Sequence, residues 1–332
     1  MKFRVRLGGA ARAALLAVLC GTAMAAGDAR AQGESYPARP VRMVIDSAPG
    51  SAIDVMSRVV ADRLTQAWGQ QVLILNHPGG GGAIATRVAS SSPPDGYTLY
   101  LAAASAFVTL PGTAANLPLE LPRDFVPIGF VSSQPMFFAA TPTLGVSTLP
   151  ELIALAKKRP GEISFAATGR GRITHLSGEL LQLRAGIQLL MVPYTAGPAH
   201  ALNDIMGGRV QIVIEGYSGL AGGLQGGMLK ALAVGAPERL PGFPDLPTVA
   251  ETIPGLTAGG WNVLVAPVGT PDEIVNKVSA DLRKVLEQPE VKNKLATIGA
   301  FVRPMSPAEV MAFIQDEQQK WKPVIEQVAA KP

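Results

Sequence analysis

The segment Val41-Arg-Met-Val-Ile-Asp-Ser-Ala-Pro-Gly-Ser-Ala-Ile-Asp54 runs from an apolar, β-branched stretch through a Pro-Gly turn into residues that open a helix. Residues 55–68 then keep apolar positions at helical spacing. A strand that passes through a short turn into a helix is half of a βαβ unit, and the same order recurs along the chain. Strand-like 72–75 leads to helical 84–90, and 98–102 is strand-like again. Beyond Pro135 a second set follows: strand 136–139, helix 149–158, strand 163–166, helix 174–185, then strands 189–192, 210–214 and 231–234. The alternation predicts an α/β protein built on a mainly parallel sheet.

Helix starts are marked by local chemistry. Thr148-Leu-Pro-Glu151, Thr270-Pro-Asp-Glu273 and Ser306-Pro-Ala-Glu309 each set a hydroxyl three residues before a glutamate that can reach back to free amides. After Thr270 the positions Ile274, Val275, Val278, Leu282, Val285 and Leu286 share one helical face, and Val310, Phe313 and Ile314 begin another. The Pro/Gly-rich stretch 236–260 lacks periodicity and predicts a long surface connection. A chain of 332 residues exceeds what one hydrophobic core usually holds. Two lobes are therefore expected, 33–134 with 256–332 as one and 135–255 as the other, with crossings near Gln134 and Leu256.

The N-terminal residues predict export. Lys2, Arg4 and Arg6 precede an apolar run at 13–19, and small-residue sites Ala23-Met-Ala25 and Ala29-Arg-Ala31 follow. Residues 1–31 are thus expected to be a signal peptide cleaved after Ala25 or Ala31, because Gly21 and Thr22 interrupt a run already shorter than the roughly 20 residues of a membrane span. Cleavage removes Lys2, Arg4, Arg6 and Arg12, which takes the formal net charge from +4 to zero. It also removes Cys20, the only cysteine, so disulfides, thiolate metal sites and cysteine catalysis are excluded from the mature chain. No cluster of basic residues remains to suggest a nucleic-acid surface.

Three glycine-rich loops each follow a strand and open a helix: 48–54, 77–82 and Thr168-Gly-Arg-Gly-Arg-Ile-Thr174. That placement aims unpaired N–H groups and a positive helix end at one point, which suits an anion such as a carboxylate. Each loop taken alone also reads as a tight turn, but ligands gather at the carboxyl edge of such sheets. Gly80-x-Gly82-x-x-Ala85 lacks the acidic residue about 20 positions on that a dinucleotide ribose requires. A hydrolase or isomerase would have to use His77, His175 or His200 with Ser47, Ser51, Ser105 or Ser218, and no Gly-x-Ser-x-Gly elbow occurs. The histidines are also too dispersed for a metal site, and no cofactor is expected.

The order of short motifs carries a family likeness. Tyr36-Pro37 and Pro40, Ala48-Pro-Gly50 with Asp54, Asn76 with Pro78-Gly79 and Gly81-Gly82, and Pro94-Asp-Gly-Tyr-Thr-Leu99 occur in sequence. Gly169, Gly171, His175-Leu176, Gly178-Glu-Leu180, Val192-Pro-Tyr194, Gly207-Gly208, Leu246-Pro-Thr-Val-Ala-Glu251 and Trp261 follow. In this the chain resembles the tripartite tricarboxylate transporter substrate-binding family, the Bug or TctC-type periplasmic receptors, over nearly all of its mature length. The resemblance implies a type II periplasmic-binding fold, two α/β lobes closing on a small organic carboxylate, a monomer, no catalysis, and delivery to membrane permease subunits.

It also implies where contacts lie. Gly50, Ser51, Ala52 and Asp54 are nominated from the first loop, Gly81 from the second, and Gly169, Gly171, Arg172, Ile173 and Thr174 from the third, with Ser47, Ser105, Tyr194 and Glu215 beside them. Asp54 has a second reading as a structural helix cap. Arg172 stands where the family commonly has serine, and either grips a distal carboxylate or points to water. Glu215 and Asp46 either face the cleft, favouring a ligand with an amine or hydroxyl as well, or are solvated outside it.

Overall fold

A 16-residue strand, β4 (Phe125–Ala140), joins two sets of strands. Through residues 125–135 it runs antiparallel to β9 (Gly259–Pro267), beyond which lie β3 (Thr98–Ala103), β1 (Val41–Ile45) and β2 (Val72–Asn76). Through residues 136–140 it pairs instead with β7 (Ile212–Gly216) and β8 (Lys230–Val234), and β7 leads on to β5 (Ser164–Ala167) and β6 (Leu190–Pro193). The computed structural model describes residues 36–47, 49–79, 82–108, 123–167, 171–194 and 198–330. All of these strands belong to the unit Arg39–Pro332.

The alternation of strand and helix holds, but the sheet is mixed: among the described residues four of the eight strand pairings are antiparallel. The expectation of a mainly parallel sheet is corrected by β9 and the first part of β4, which sequence periodicity did not reveal. Pro127, Pro135, Gly259 and Gly260 read locally as breakers. In the folded chain the register of β4 on β9 shifts between Pro127 and Gly129 and again between Phe130 and Ser132, so Pro127 adjoins a bulge, while Pro135 and Gln134 pair in register with Gly259 and Gly260. Burial on both faces explains why this strand shows no alternation: Phe125, Ile128, Phe130 and Val131 are all within the core.

The helices are α1 (Ala52–Trp68), α2 (Ala83–Ser90), α3 (Ala104–Val108), α4 (Leu149–Lys158), α5 (Ile173–Ala185), α6 (Pro198–Met206), α7 (Tyr217–Gln225), α8 (Val249–Thr252), α9 (Asp272–Glu287), α10 (Pro289–Thr297) and α11 (Pro307–Ala330). Thr148 caps α4, its hydroxyl accepting the Glu151 amide at 3.3 Å. The Ser306 hydroxyl accepts the Glu309 amide at 3.3 Å while the Glu309 carboxylate accepts the Ser306 amide. Thr270 does not cap α9: its buried hydroxyl donates to the Pro267 carbonyl at 2.7 Å, and the helix begins at Asp272. The stretch expected to be a plain connection holds α8, closed by a reciprocal box between Thr248 and Glu251.

On one face of the sheet Phe130, Phe138 and Trp261 pack with Leu176 and Leu180 of α5 and with Ile314 and Trp321 of α11. On the opposite face of the second strand set Phe137 and Val213 pack with Ile205 of α6 and Leu220 of α7. The indoles of Trp261 and Trp321 both donate to buried Glu317, at 2.9 and 3.0 Å, and Lys320 neutralises that carboxylate. Among the described residues no helix is long and apolar enough to cross a membrane.

Where β8 hands over to β9, Gly235 lies against the opposing backbone: its amide donates to Met136, its carbonyl accepts from Ala258, and a Cβ there would stand 2.0 Å from the Ala258 oxygen. Replacement Gly235→Ala is expected to lower stability by about 2 kcal/mol through forced backbone displacement. Urea unfolding followed by circular dichroism measures this as a reduced midpoint.

Candidate functional site

The turn from β1 into α1 is organised by one carboxylate. Asp54, 3% exposed, accepts the Gly50 amide at 2.9 Å, Nε and Nη2 of Arg58 at 3.0 and 2.9 Å, and Nδ2 of Asn76 at 2.9 Å. The same Asn76 nitrogen donates to the Ser47 carbonyl at 2.9 Å, tying the end of β2 to the end of β1. The Arg58 guanidinium, with Asn76 and the Gly50 amide, holds the Asp54 carboxyl down at about 2. Gly50 takes φ of +80°, a backbone few other residues adopt, and this turns its amide inward.

Asp54 is therefore a structural organiser, as its capping reading proposed, and the Gly50 amide is already taken. What remains toward solvent is the start of α1. Ser51 is its N-cap, with its hydroxyl accepting the Asp54 amide at 3.2 Å. The amides of Ala52 and Ile53 then have no acceptor within the helix. Arg58 was not singled out from sequence, although its place four residues after Asp54 on one helix face is the signal that could have found it.

The turn from β5 into α5 repeats the device with different chemistry. The Gly171 amide donates to Nδ1 of His175 at 3.0 Å, and Nε2 of that buried histidine faces Glu179 at 3.5 Å. His175 is thus a packed residue that shapes the loop, with its lone pair engaged. Arg172 is the N-cap residue, exposed and without a side-chain cap, followed by half-buried Ile173 and buried Thr174.

Two acids at strand ends lie within electrostatic reach of Arg172. Asp46 follows the last residue of β1 and Glu215 is the penultimate residue of β7, and the Arg172 charge acts on both. Burial pushes the Glu215 carboxyl up to about 7, opposed by its bond from the Gly216 amide at 2.8 Å and by Arg172. Burial also raises Asp46, opposed by the Ser47 hydroxyl at 3.3 Å and by Arg172. Both acids keep some exposed surface while desolvation dominates their titration. Tyr100, fully buried beneath, has its phenol pushed up by burial and by the Asp46 charge.

The other nominated residues divide. Ser105 lies in the single turn α3 at the end of β3. Tyr194 donates its hydroxyl to Asp204 at 2.6 Å, and burial with that bond moves the phenol up to about 12, so its polar tip is committed to α6. Gly81 and Gly169 lie outside the described residues, as do the signal segment 1–31 and the side chain of His200. The structure thus brings Asp46, Ser47, Ser51, Arg172 and Glu215 to the strand ends beside two helix starts. Groups of this kind can hold an anion on main-chain donors and one guanidinium, with acids that accept from a hydroxyl or an amine.

The model of the family described as tripartite tricarboxylate transporter family receptor matches residues 56–330. The chain belongs to that family. Protein BugT of Bordetella pertussis is 36% identical over 300 residues, covering 90% of this chain and 92% of BugT. A UPF0065 protein of Bordetella bronchiseptica is 33% identical over 302 residues, 91% of this chain and 89% of the relative. Among solved structures, an R. palustris protein with adipate superimposes with a TM-score of 0.77 at 30% identity, covering 89% of this chain and 98% of that one. MatC from Rhodopseudomonas palustris with bound malate gives 0.73 at 28% identity, covering 87% and 100%. The family is one of periplasmic solute-binding receptors, not enzymes, and the α/β fold with its curled sheet is that of the periplasmic binding proteins.

The receptor's acid stability should carry the signature of Asp54. Because its carboxyl is held below the usual carboxylate value, its contribution is fully present above about pH 4 and is lost as pH falls through about 2. Asp54→Ala is expected to cost about 2 kcal/mol at pH 7, and the difference from wild type should shrink toward pH 2. Chemical denaturation at a series of pH values reads this directly.

Proposed function

We propose that this receptor captures a small dicarboxylate at the strand-end recess, by closure of one lobe on the other, for uptake through a tripartite tricarboxylate-type permease. The lobes are 33–134 with 256–332 and 135–255, meeting where β4 changes partners. One ligand carboxylate rests on the amides at the start of α1, from Ser51 to Ile53, with Ser47 and Ser105 beside it. The other meets Arg172 and the start of α5 at Ile173 and Thr174, and Gly171 and Glu215 shape that end. The observation that carries this reading is the exposed Arg172 guanidinium set beside two helix starts, in a fold shared with proteins solved with adipate and malate. Export by a cleaved signal at 1–31 and a monomeric receptor complete the proposal.

No bond is made or broken in such capture. The ligand exchanges water for oriented main-chain dipoles, and closure stabilises the bound form by the difference in contacts between open and closed states. Adipate and malate added at about 100 times their dissociation constants should stabilise the protein by about 2.7 kcal/mol without being consumed. Arg172→Glu should weaken dicarboxylate binding by roughly a hundredfold, since it removes a charge-assisted bond and adds repulsion. Calorimetric titration with unchanged affinity in that variant defeats the reading.

Glu215 makes binding depend on pH. Its carboxyl is raised to about 7, so it is largely protonated at pH 6, where it donates to a carboxylate, and charged at pH 8, where it repels one. Dicarboxylate affinity should therefore rise by roughly threefold to tenfold from pH 8 to pH 6, and Glu215→Gln should flatten that profile. In the free protein the same raised value makes its contribution to stability greatest below about pH 4.5 and lost as pH rises through about 7.

A further inference from the structure

A hollow of about 860 Å³ has none of Asp46, Ser51, Arg172 or Glu215 in its lining. Its floor is the stretch where β4 leaves β9, at Ser133, Pro135 and Gly259 to Trp261, and its walls come from residues 235–243 on one side and 292–303 with α11 on the other. The volume falls within the roughly 300–1,000 Å³ of small-molecule pockets. Four of the chain's ten phenylalanines line it, Phe130, Phe243, Phe301 and Phe313, and the last three are only half-buried. In a chain with so few aromatic residues, leaving three of them partly open in one concavity marks a surface that awaits apolar contact.

The charges around it are unequal in their commitments. Arg239 is held bidentately by Glu251, and Lys320 neutralises Glu317, so neither is available. Lys292 and Arg303 are exposed and their side chains have no hydrogen bond or ion pair among the described residues; Arg303 acts on Glu309 through space alone. Glu238 is the other acid in the wall.

We infer that this hollow is a second binding site, for an amphiphilic anion: an apolar chain or ring system bearing one carboxylate or sulfonate. The apolar body fills the phenylalanine-lined interior, and the acid group pairs with Lys292 and Arg303 at the mouth. A concave space with two uncommitted cations at its rim fits such a molecule better than a flat protein partner, which would need a broad apolar patch.

Titration calorimetry of the full chain with dodecanoate tests it, with dodecanol and dodecyltrimethylammonium as uncharged and cationic controls. Dodecanoate should bind saturably at one site and more tightly than either control. Lys292→Glu combined with Arg303→Glu should weaken it by at least roughly tenfold. Thr257→Trp, which fills the hollow from a half-buried connecting position, should abolish it, while Arg172→Glu should leave it unchanged. Absence of saturable binding, tightest binding of the cation, insensitivity to the double charge reversal, or loss in Arg172→Glu overturns the inference. So does a dimer, seen by sedimentation, that Thr257→Trp dissociates while dodecanoate fails to bind. If Thr257→Trp does not fold, the charge-reversal variant decides alone.

Discussion

Helix starts leave main-chain donors without acceptors, and much of this molecule's arrangement follows from how it deals with them. At α1 the carboxylate of Asp54 absorbs one turn amide and Ser51 absorbs the Asp54 amide, while those of Ala52 and Ile53 have no acceptor within the helix. At α5 a histidine ring nitrogen, rather than a carboxylate, takes the turn amide. Both loops are thereby held in shape by the protein's own side chains, so that the remaining donors are fixed before any ligand arrives. Preorganised dipoles of this kind bind an anion without the cost of ordering a flexible loop.

The charged groups at the recess are balanced against that positive potential. Asp46 and Glu215 would each be costly to bury unpaired, and Arg172 offsets part of the cost for both. An arginine at an N-cap position adds a mobile cation where the helix dipole is already positive, a placement that favours an anionic partner. The proposed capture of a dicarboxylate rests on these electrostatics of loops and strand ends; two solved relatives hold adipate and malate.

The continuous strand β4 gives the sheet its other defining property. One strand serves two sets of neighbours, changing partners at Pro135, where the missing amide and the close approach of Gly259 leave little room for side chains. Few strands cross this point, so it is the natural place for relative movement of the proposed lobes. The hollow lined by Phe243, Phe301 and Phe313 lies over the same crossing.

Local rules made much of this legible. The Gly-turn-helix order at 41–68, the caps at Thr148 and Ser306, and the family likeness carried by short motifs all depend on neighbours in the chain, and each reappears in the folded molecule. What stayed hidden depends on distant residues. β9 and the first half of β4 look like breakers until they pair with each other. The glycines marked amides suited to an anion, but not that Asp54 and His175, each four residues on, would take the amides of Gly50 and Gly171. Sequence determined which segments become strand, helix and turn because propensity and capping act over a few residues. The folded structure alone decided which charges share a neighbourhood, because Arg172 acts on Asp46 and Glu215, and Asn76 on Asp54, only through partners tens of residues away.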